Sequence, residues 1–497
     1  MSRRTGLVLA FISVWAFLPF SARSETFALN HVSIVDTRDG SIYSNVRVII
    51  TGDRISAIAT MDDRPLPRET KQVDASGKFL IPGLWDMHVH IAQADKAKWA
   101  RPIVLPLLVA NGVTGVRDMG GDFDLIQRLR AEIKEKRLLG PTIIAAGPQL
   151  IGAGSTKIWS AADWPSSGFV RVGTPTEGRQ AVKSLKLRGV DFIKVQSEGP
   201  PITRETYFAI ADAARTLQIP FVGHIPDAIT AAEASDVGQR SIEHLSGIFL
   251  ACSSDEMELR KMALEADLDP IGFPVSEARS SFDLPPRGTL ETYSEQKTTK
   301  LFSILVHNQT WQVPTLIFKR TSMIWMKTKS LQDARLAYIP TPLQSAGLYY
   351  ADDSKKLDQT DAADISKIFD KSLAVVGIMN RMGLKFMAGT DTPFPPFPGF
   401  GLHEELKLMV QAGLTPLQAL QAATLNPAVF LGRLTEFGTV EKNKVADLVL
   451  LDANPLKDIR SIEKIDAVVL NGKYLGRSEL DRMLAETKAV AAKPEMQ

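Results

Sequence analysis

Between about residues 80 and 430, short apolar runs alternate with longer stretches of helical periodicity. Eight runs read as strands: LWDMHVH, VTGVRDMG, PTIIAAGP, DFIKVQS, PFVGHIP, SIEHLS, WQVPTL and KFMAGTD. Among them lie the helical patterns DFDLIQRLRAEIKEKRLL, TEGRQAVKSLKLRG, RETYFAIADAARTLQ and ISKIFDKSLAVVGIMNRMG. Strand and helix alternating in this way predict an α/β fold, a (β/α)8 TIM-like barrel. The chain ends differ in texture. HVSIVDTRDG and VRVIITGDRISAI near the start, and GTVEKNKVADLVLLD and DAVVLNGKYLG near the end, are β-rich runs closed by Asp, Asn and Gly turns. These predict a small composite β-sandwich domain built from both ends, with the barrel inserted between them.

The resulting organisation is a leader over 1–24, the first part of the β domain over 25–79 and a barrel over 80–432. The second part of the β domain follows over 433–480, and a C-terminal tail over 481–497. Two stretches, near 247–310 and 320–360, are too long for simple crossovers and are expected to be insertions after strand ends. The first contains FPVSEARSSFDLPPRG.

The leader has basic residues at Arg3 and Arg4, then the apolar run GLVLAFISVWAFLPF, then small residues at Ala22 and Ser24. This is the pattern of a secretory signal peptide cleaved before Glu25. It predicts an exported protein, periplasmic or secreted, with no stable membrane insertion once the leader is removed. Arg3–Arg4 partly matches a twin-arginine signal. Lysine plus arginine (58) nearly balance aspartate plus glutamate (56), so a nucleic-acid partner is not expected. Cys252 is the sole cysteine, which excludes an intrachain disulfide.

Four of the seven histidines fall at predicted strand ends. His88 and His90 close the first strand, His224 the fifth and His244 the sixth, and Asp391 closes the eighth. Residues i and i+2 of a strand share a face, so His88 and His90 can converge on one atom. Polar residues at C-terminal strand ends surround the active site in barrels of this kind. Lys194 alternates with apolar neighbours inside DFIKVQS; a buried lysine needs a partner. Beside a dication it makes sense only if neutral or chemically modified.

Other residues carry weaker signals. Arg117 ends the second strand and is a substrate-side candidate, as is His403 at the start of the helix after the eighth strand. Asp118 reads as a member of a structural ion pair. Glu243, next to His244, should point away from the pocket by alternation. His31 and His307 have no supporting context.

The motif set PGLWDMHVH, GVTGVRDMGG, IKV, GH, IEH and AGTDTP, in that order, resembles the amidohydrolase superfamily, as does the closing segment ELKLMVQAGLTPLQALQAATLNPAVFLG…GTVEKNKVADLVLLDANPL. Its imidazolonepropionase-like and Xaa-Pro or Xaa-Arg dipeptidase-like subgroup is the nearest in pattern. The resemblance implies two divalent ions, zinc first, with cobalt, manganese or nickel also accommodated. His88, His90 and Asp391 would hold one ion and His224 and His244 the other, bridged by Lys194 carboxylated on its amine. The implied reaction is attack of a metal-bridging hydroxide on an amide or peptide bond of a small-molecule substrate, with Asp391 shuttling the proton. Relatives commonly form homo-oligomers. One departure is that Ile225 and Pro226 follow His224, where the dipeptidases tend to carry HAH or HxY.

Three other readings stay open. A mononuclear deaminase or cyclic-amide hydrolase would use Asp227 of HIPD. Phosphotriester or lactone hydrolysis would use the same two ions. A non-catalytic binding protein would keep only the barrel.

Overall fold

The computed structural model describes residues 25–63, 66–67, 69–153, 168–197, 202–268, 285–328, 332–340, 359–393 and 396–493. The expected leader, most of FPVSEARSSFDLPPRG and the later part of the second insertion lie outside the described residues.

The first five strands are β1 (Thr26–Val35), β2 (Ile42–Thr51), β3 (Arg54–Thr60), β4 (Lys71–Asp74) and β5 (Phe79–Pro82). After β6 (Leu84–Val89) come β7 (Val113–Asp118), β8 (Thr142–Ala145), β9 (Gln149–Gly152), β10 (Phe169–Val172), β11 (Ile193–Val195), β12 (Phe221–Gly223), β13 (Ser241–Glu243) and β14 (Trp311–Val313). The chain closes with β15 (Leu448–Leu451), β16 (Ile465–Leu470) and β17 (Lys473–Gly476).

The two chain ends share one sheet, in the order β17-β16-β15-β5-β1-β2-β3, with β4 beside β1. Antiparallel pairing of β15 with β5 makes the join, Leu448 facing Pro82 and Leu451 facing Phe79. Leu29, Val32, Val48 and Ile55 from the first part pack in one apolar cluster with Leu448, Leu450 and Val469 from the second. Residues 481–491 of the expected tail continue the helix Arg477–Ala491, with Ala491 buried in the main core.

The middle of the chain forms a ring of parallel pairing. β6 pairs β7 and β7 pairs β8. β11, β12, β13 and β14 pair in succession. Asp191, just before β11, links to β8 through Asp191 N–H to Ala145 O at 2.9 Å. The eighth predicted strand is reduced to single parallel bridges, Gln312 to Phe386 and Val89 to Thr392. These bridges bring it between β14 and β6. Gly389, whose absent Cβ would lie 2.8 Å from His88 Cβ, lets that segment approach β6. β9 and β10 are an addition that periodicity did not reveal: β9 pairs β11 and β10 pairs β9.

The helices around the ring follow their local signals. Pro175–Arg188 begins with a Thr174/Glu177 capping box and stops at Gly189 with φ 85°. Phe123–Lys134 is capped by the Asp122 side chain. The first expected insertion contributes the helices Glu256–Leu268 and Glu295–His307, and Leu316–Thr328 opens the crossover after β14.

Candidate metal centre

His88 and His90 leave the end of β6 on one side. The Nε2 of each lies 3.3 Å from the same atom, Asp391 Oδ1. Ligand atoms of the three residues all fall within 4.8 Å of one another. His90 Nδ1 donates to Gly120 O at 3.0 Å. His88 Nδ1 donates to Glu243 Oε2 at 2.9 Å. Occupying Nδ1 in this way fixes the tautomer and leaves the lone pair on Nε2. His88 Nε2 is buried and makes no hydrogen bond among the described residues. An orphaned basic nitrogen beside a carboxylate and a second imidazole is a donor set that suits a divalent cation.

A second group lies alongside. The His244 ring is 4.4 Å from that of His88 and 4.9 Å from that of His224, between centroids. Lys194 Nζ lies 3.1 Å from His224 Nε2, and Ser197 Oγ lies 3.1 Å from His224 Nδ1. Thr315 Oγ1 lies 2.6 Å from His244 Nδ1. Lys194 is fully buried and His224 and His244 nearly so. Burial pushes His224 well below the usual histidine range, and the neighbouring Lys194 charge adds to the effect. Burial would raise the Asp391 carboxyl, but His244, His88 and His90 together hold it well below the carboxylate range. The structure therefore gathers all six proposed ligands, His88, His90, Lys194, His224, His244 and Asp391, at one end of the ring.

Backbone conformation contributes to this gathering. His244, Thr315 and Asp391 have φ of 57°, 45° and 62°, a left-handed region unusual for residues with side chains. Each sits where a strand has just ended. At His244 the excursion brings to the inner side a side chain that alternation after Glu243 would send outward.

That is why the expectation for Glu243 requires correction. Glu243 faces inward, as does Ser241 two residues earlier, and the left-handed His244 then brings the next side chain to the same side. Arg117 grips Glu243 with Nη2 at 2.9 Å from both oxygens, and Ser241 Oγ donates to Oε1 at 2.5 Å. Burial opposes ionisation of Glu243, but the Arg117 charge and the His88 hydrogen bond outweigh it and hold the carboxyl well below its usual range.

Arg117 is likewise not placed to meet a substrate. It is fully buried, it donates Nε–H to Met87 O at 2.6 Å, and it lies between the Phe192 and Phe430 rings. His403 is buried and donates Nε2–H to Asn111 O at 2.9 Å, a bond between its helix and the end of the helix Leu105–Ala110. Asp118 has no ion pair among the described residues; it accepts backbone amides from Ile91 at 2.7 Å and Gly120 at 3.1 Å, and burial pushes it up to about 6.

Two supporting carboxylates escaped the sequence reading. Asp86 accepts from His88 N–H and Thr390 N–H through Oδ1 and from the Thr390 hydroxyl through Oδ2, clamping β6 to the segment that carries Asp391. Its place two residues before His88, on the same strand face, was the available signal. Glu405 accepts from Ile317 N–H at 2.7 Å; nothing local in the sequence marks it. A small cavity is lined by Ile317, Arg320, Arg335, Phe397 and Glu404, among others, and by none of the six proposed ligands.

An amidohydrolase family model matches residues 79–268 and 319–475, together more than half of the chain. An ochratoxinase of Aspergillus niger is 22% identical over 480 residues, covering 86% of this chain and 82% of its own. An imidazolonepropionase of Thermoplasma acidophilum is 22% identical over 441 residues, covering 86% of this chain and 88% of its own. Among solved structures, a Xaa-Pro dipeptidase with bound methionine aligns with a TM-score of 0.64 at 21% identity, over 91% of this chain and all of that one.

Proposed function

The chain belongs to the amidohydrolase family, hydrolases of carbon–nitrogen bonds, and from that premise we propose that it is an exported enzyme using two divalent ions to cleave an amide or peptide bond in a small molecule of the dipeptide or N-acyl amino acid type. One observation carries the reading. The Nε2 atoms of His88 and His90 converge on Asp391 Oδ1 at 3.3 Å each, with both Nδ1 atoms already engaged.

In this reading His88, His90 and Asp391 hold one ion, and His224 and His244 the other. Lys194, carboxylated on Nζ by carbon dioxide with loss of one proton, would supply oxygen donors to both. Carboxylation replaces a buried cation with an anionic oxygen donor, which removes its repulsion from the ions. Zinc suits this set of imidazole and carboxylate donors. Two such ions, when bound, activate a water at neutral pH and polarise the scissile carbonyl. Asp391, ionised at neutral pH, takes the proton of the attacking water and delivers it to the departing nitrogen. The neighbouring relatives' names, ochratoxinase and Xaa-Pro dipeptidase, support this bond class. Asp227, required by the mononuclear deaminase reading, is only partly buried and lies in the field of Arg260.

Export rests on the N-terminal leader pattern alone, and N-terminal sequencing of protein recovered from the medium or periplasm tests it. No helix among the described residues is long and apolar enough to cross a membrane. For the activity, the zinc-loaded protein is assayed against dipeptides, N-acyl amino acids and aryl amides, with Asp391→Asn as control. Metal is counted per chain in parallel. Amide hydrolysis absent from the control and two ions per chain are expected. One tightly held ion would favour the mononuclear alternative, and equal turnover by the control would exclude Asp391 from the chemistry.

A further inference from the structure

His244 is the one imidazole of the centre whose Nδ1 partner, Thr315, stands in a left-handed turn, with φ 45°. A β-branched residue rarely adopts this conformation, so the surroundings must hold it. Thr315 ends the segment after β14, and the helix Leu316–Thr328 starts immediately beyond it. The first amides of a helix have no acceptor within the helix. Here they are met by a side chain from a different helix, Phe400–Gln411. Glu405 Oε2 accepts from Ile317 N–H at 2.7 Å, and the Leu316 amide also reaches the carboxyl. Glu405 is fully buried, and its Oε1 has no hydrogen-bond partner among the described residues. Burial pushes the carboxyl up to about 8. The two amides and the positive helix end are what favour an acid there. A leucine would fill the space without the burial cost but would leave the amides unmet.

We propose that Glu405 is a positioning residue for His244. By holding the amides of residues 316 and 317 it fixes the Thr315 turn, and through Thr315 Oγ1 it sets the tautomer and aim of the His244 ring. The role rests on the two-ion reading, because it takes His244 Nε2 as a ligand. Glu405 itself touches neither substrate nor ion. Its effect is transmitted by three hydrogen bonds and one turn, from a helix that follows the eighth strand to a ligand at the end of the sixth.

The test uses the full mature chain as wild type, Glu405→Leu, Glu405→Gln, Thr315→Val and the Glu405→Leu/Thr315→Val double variant. Each is equilibrated with buffered zinc, metal per chain is counted by mass spectrometry, and near-UV circular dichroism checks packing. Wild type is expected to bind two ions. Glu405→Leu and Thr315→Val should each weaken one of the two by about 10- to 100-fold, the cost of losing a group that orients a ligand, and leave the other unchanged. The double variant should be no worse than the poorer single, because both changes break one chain of contacts. Glu405→Gln keeps a carbonyl acceptor and should recover most of the affinity. Fewer than two ions in wild type would overturn the two-ion reading itself. Two ions in wild type with unaltered affinities in Thr315→Val, or singles that add in the double, would overturn the Glu405 role alone. If Glu405→Leu does not fold, Thr315→Val and Glu405→Gln still decide the matter.

Discussion

His88 donates Nδ1–H to Glu243 across 2.9 Å in the fully buried interior of the ring. That bond joins a proposed metal ligand to a charged pair below it, since Arg117 holds the same carboxylate through both oxygens. A buried carboxylate is tolerated here only because the guanidinium, a hydroxyl and an imidazole satisfy it together. The site thus rests on an ionic layer inside an otherwise apolar barrel.

Arg117→Met should show how much that layer matters to stability. It leaves Glu243 buried without its cation, and breaking a buried pair from one side costs about 3–5 kcal/mol. Urea denaturation gives the value. A loss below about 1 kcal/mol would mean that Glu243 takes up a proton or finds water instead.

Glu243→Gln addresses function at the same place. The amide keeps the volume but removes the charge that keeps the proton on His88 Nδ1. Zinc affinity or hydrolysis should fall by about 10- to 100-fold, with secondary structure by circular dichroism preserved. An unchanged zinc titration would mean that His88 is oriented by its backbone alone.

Replacing Lys194 with alanine tests the bridge. Loss of a ligand shared by both ions should cost at least about 100-fold in hydrolysis, and metal content should fall below two per chain. Full activity in the Lys194→Ala/His224→Ala double variant would rule out the two-ion mechanism.

The β domain supplies a pH dependence. Asp447 is pushed up to about 7 by burial, opposed by the amide of Asn471 and by Arg433 and reinforced by Asp53. Its folded value lies above the ordinary 3.8, so the native state favours the protonated form. Its contribution is fully present below about pH 4 and is lost as pH rises through about 7. Asp447→Asn should therefore raise the melting temperature relative to wild type more at pH 8 than at pH 4.5. A pH-independent difference would show that Asp447 titrates normally.

Gly472 marks where the two chain ends meet. It has φ 77°, and a Cβ there would lie 1.8 Å from Gly52 O. Both the left-handed backbone and the backbone contact exclude a side chain. Gly472→Ala should destabilise by at least about 1–3 kcal/mol, read by denaturant titration. A neutral result would mean that the β16–β17 turn can move away from the β2–β3 turn.

Legibility in the sequence followed locality. The helix Pro175–Arg188 was readable because its cap box and terminal glycine lie within its own segment. His88 and His90 were readable because strand pleating alone puts residues two apart on one side. β9 and β10 are recognised only by their parallel pairing beside β11, which the sequence does not show. Glu243 was misread because alternation was extended through His244, where a positive φ had ended it. Arg117 and His403 looked available because their burial depends on Glu243 and Asn111, 126 and 292 residues away.

The sequence by itself determined most of the strands and helices, which chemical groups stand at strand ends, and the family resemblance. These follow from side-chain periodicity and from spacing along the chain. Only the tertiary structure decided that two Nε2 atoms meet one Asp391 oxygen, that Glu243 and Arg117 form an ionic layer below them, and that Glu405 reaches the turn beside His244. Those relations depend on ring closure and on left-handed residues at strand ends, where packing against distant segments overrides local preference.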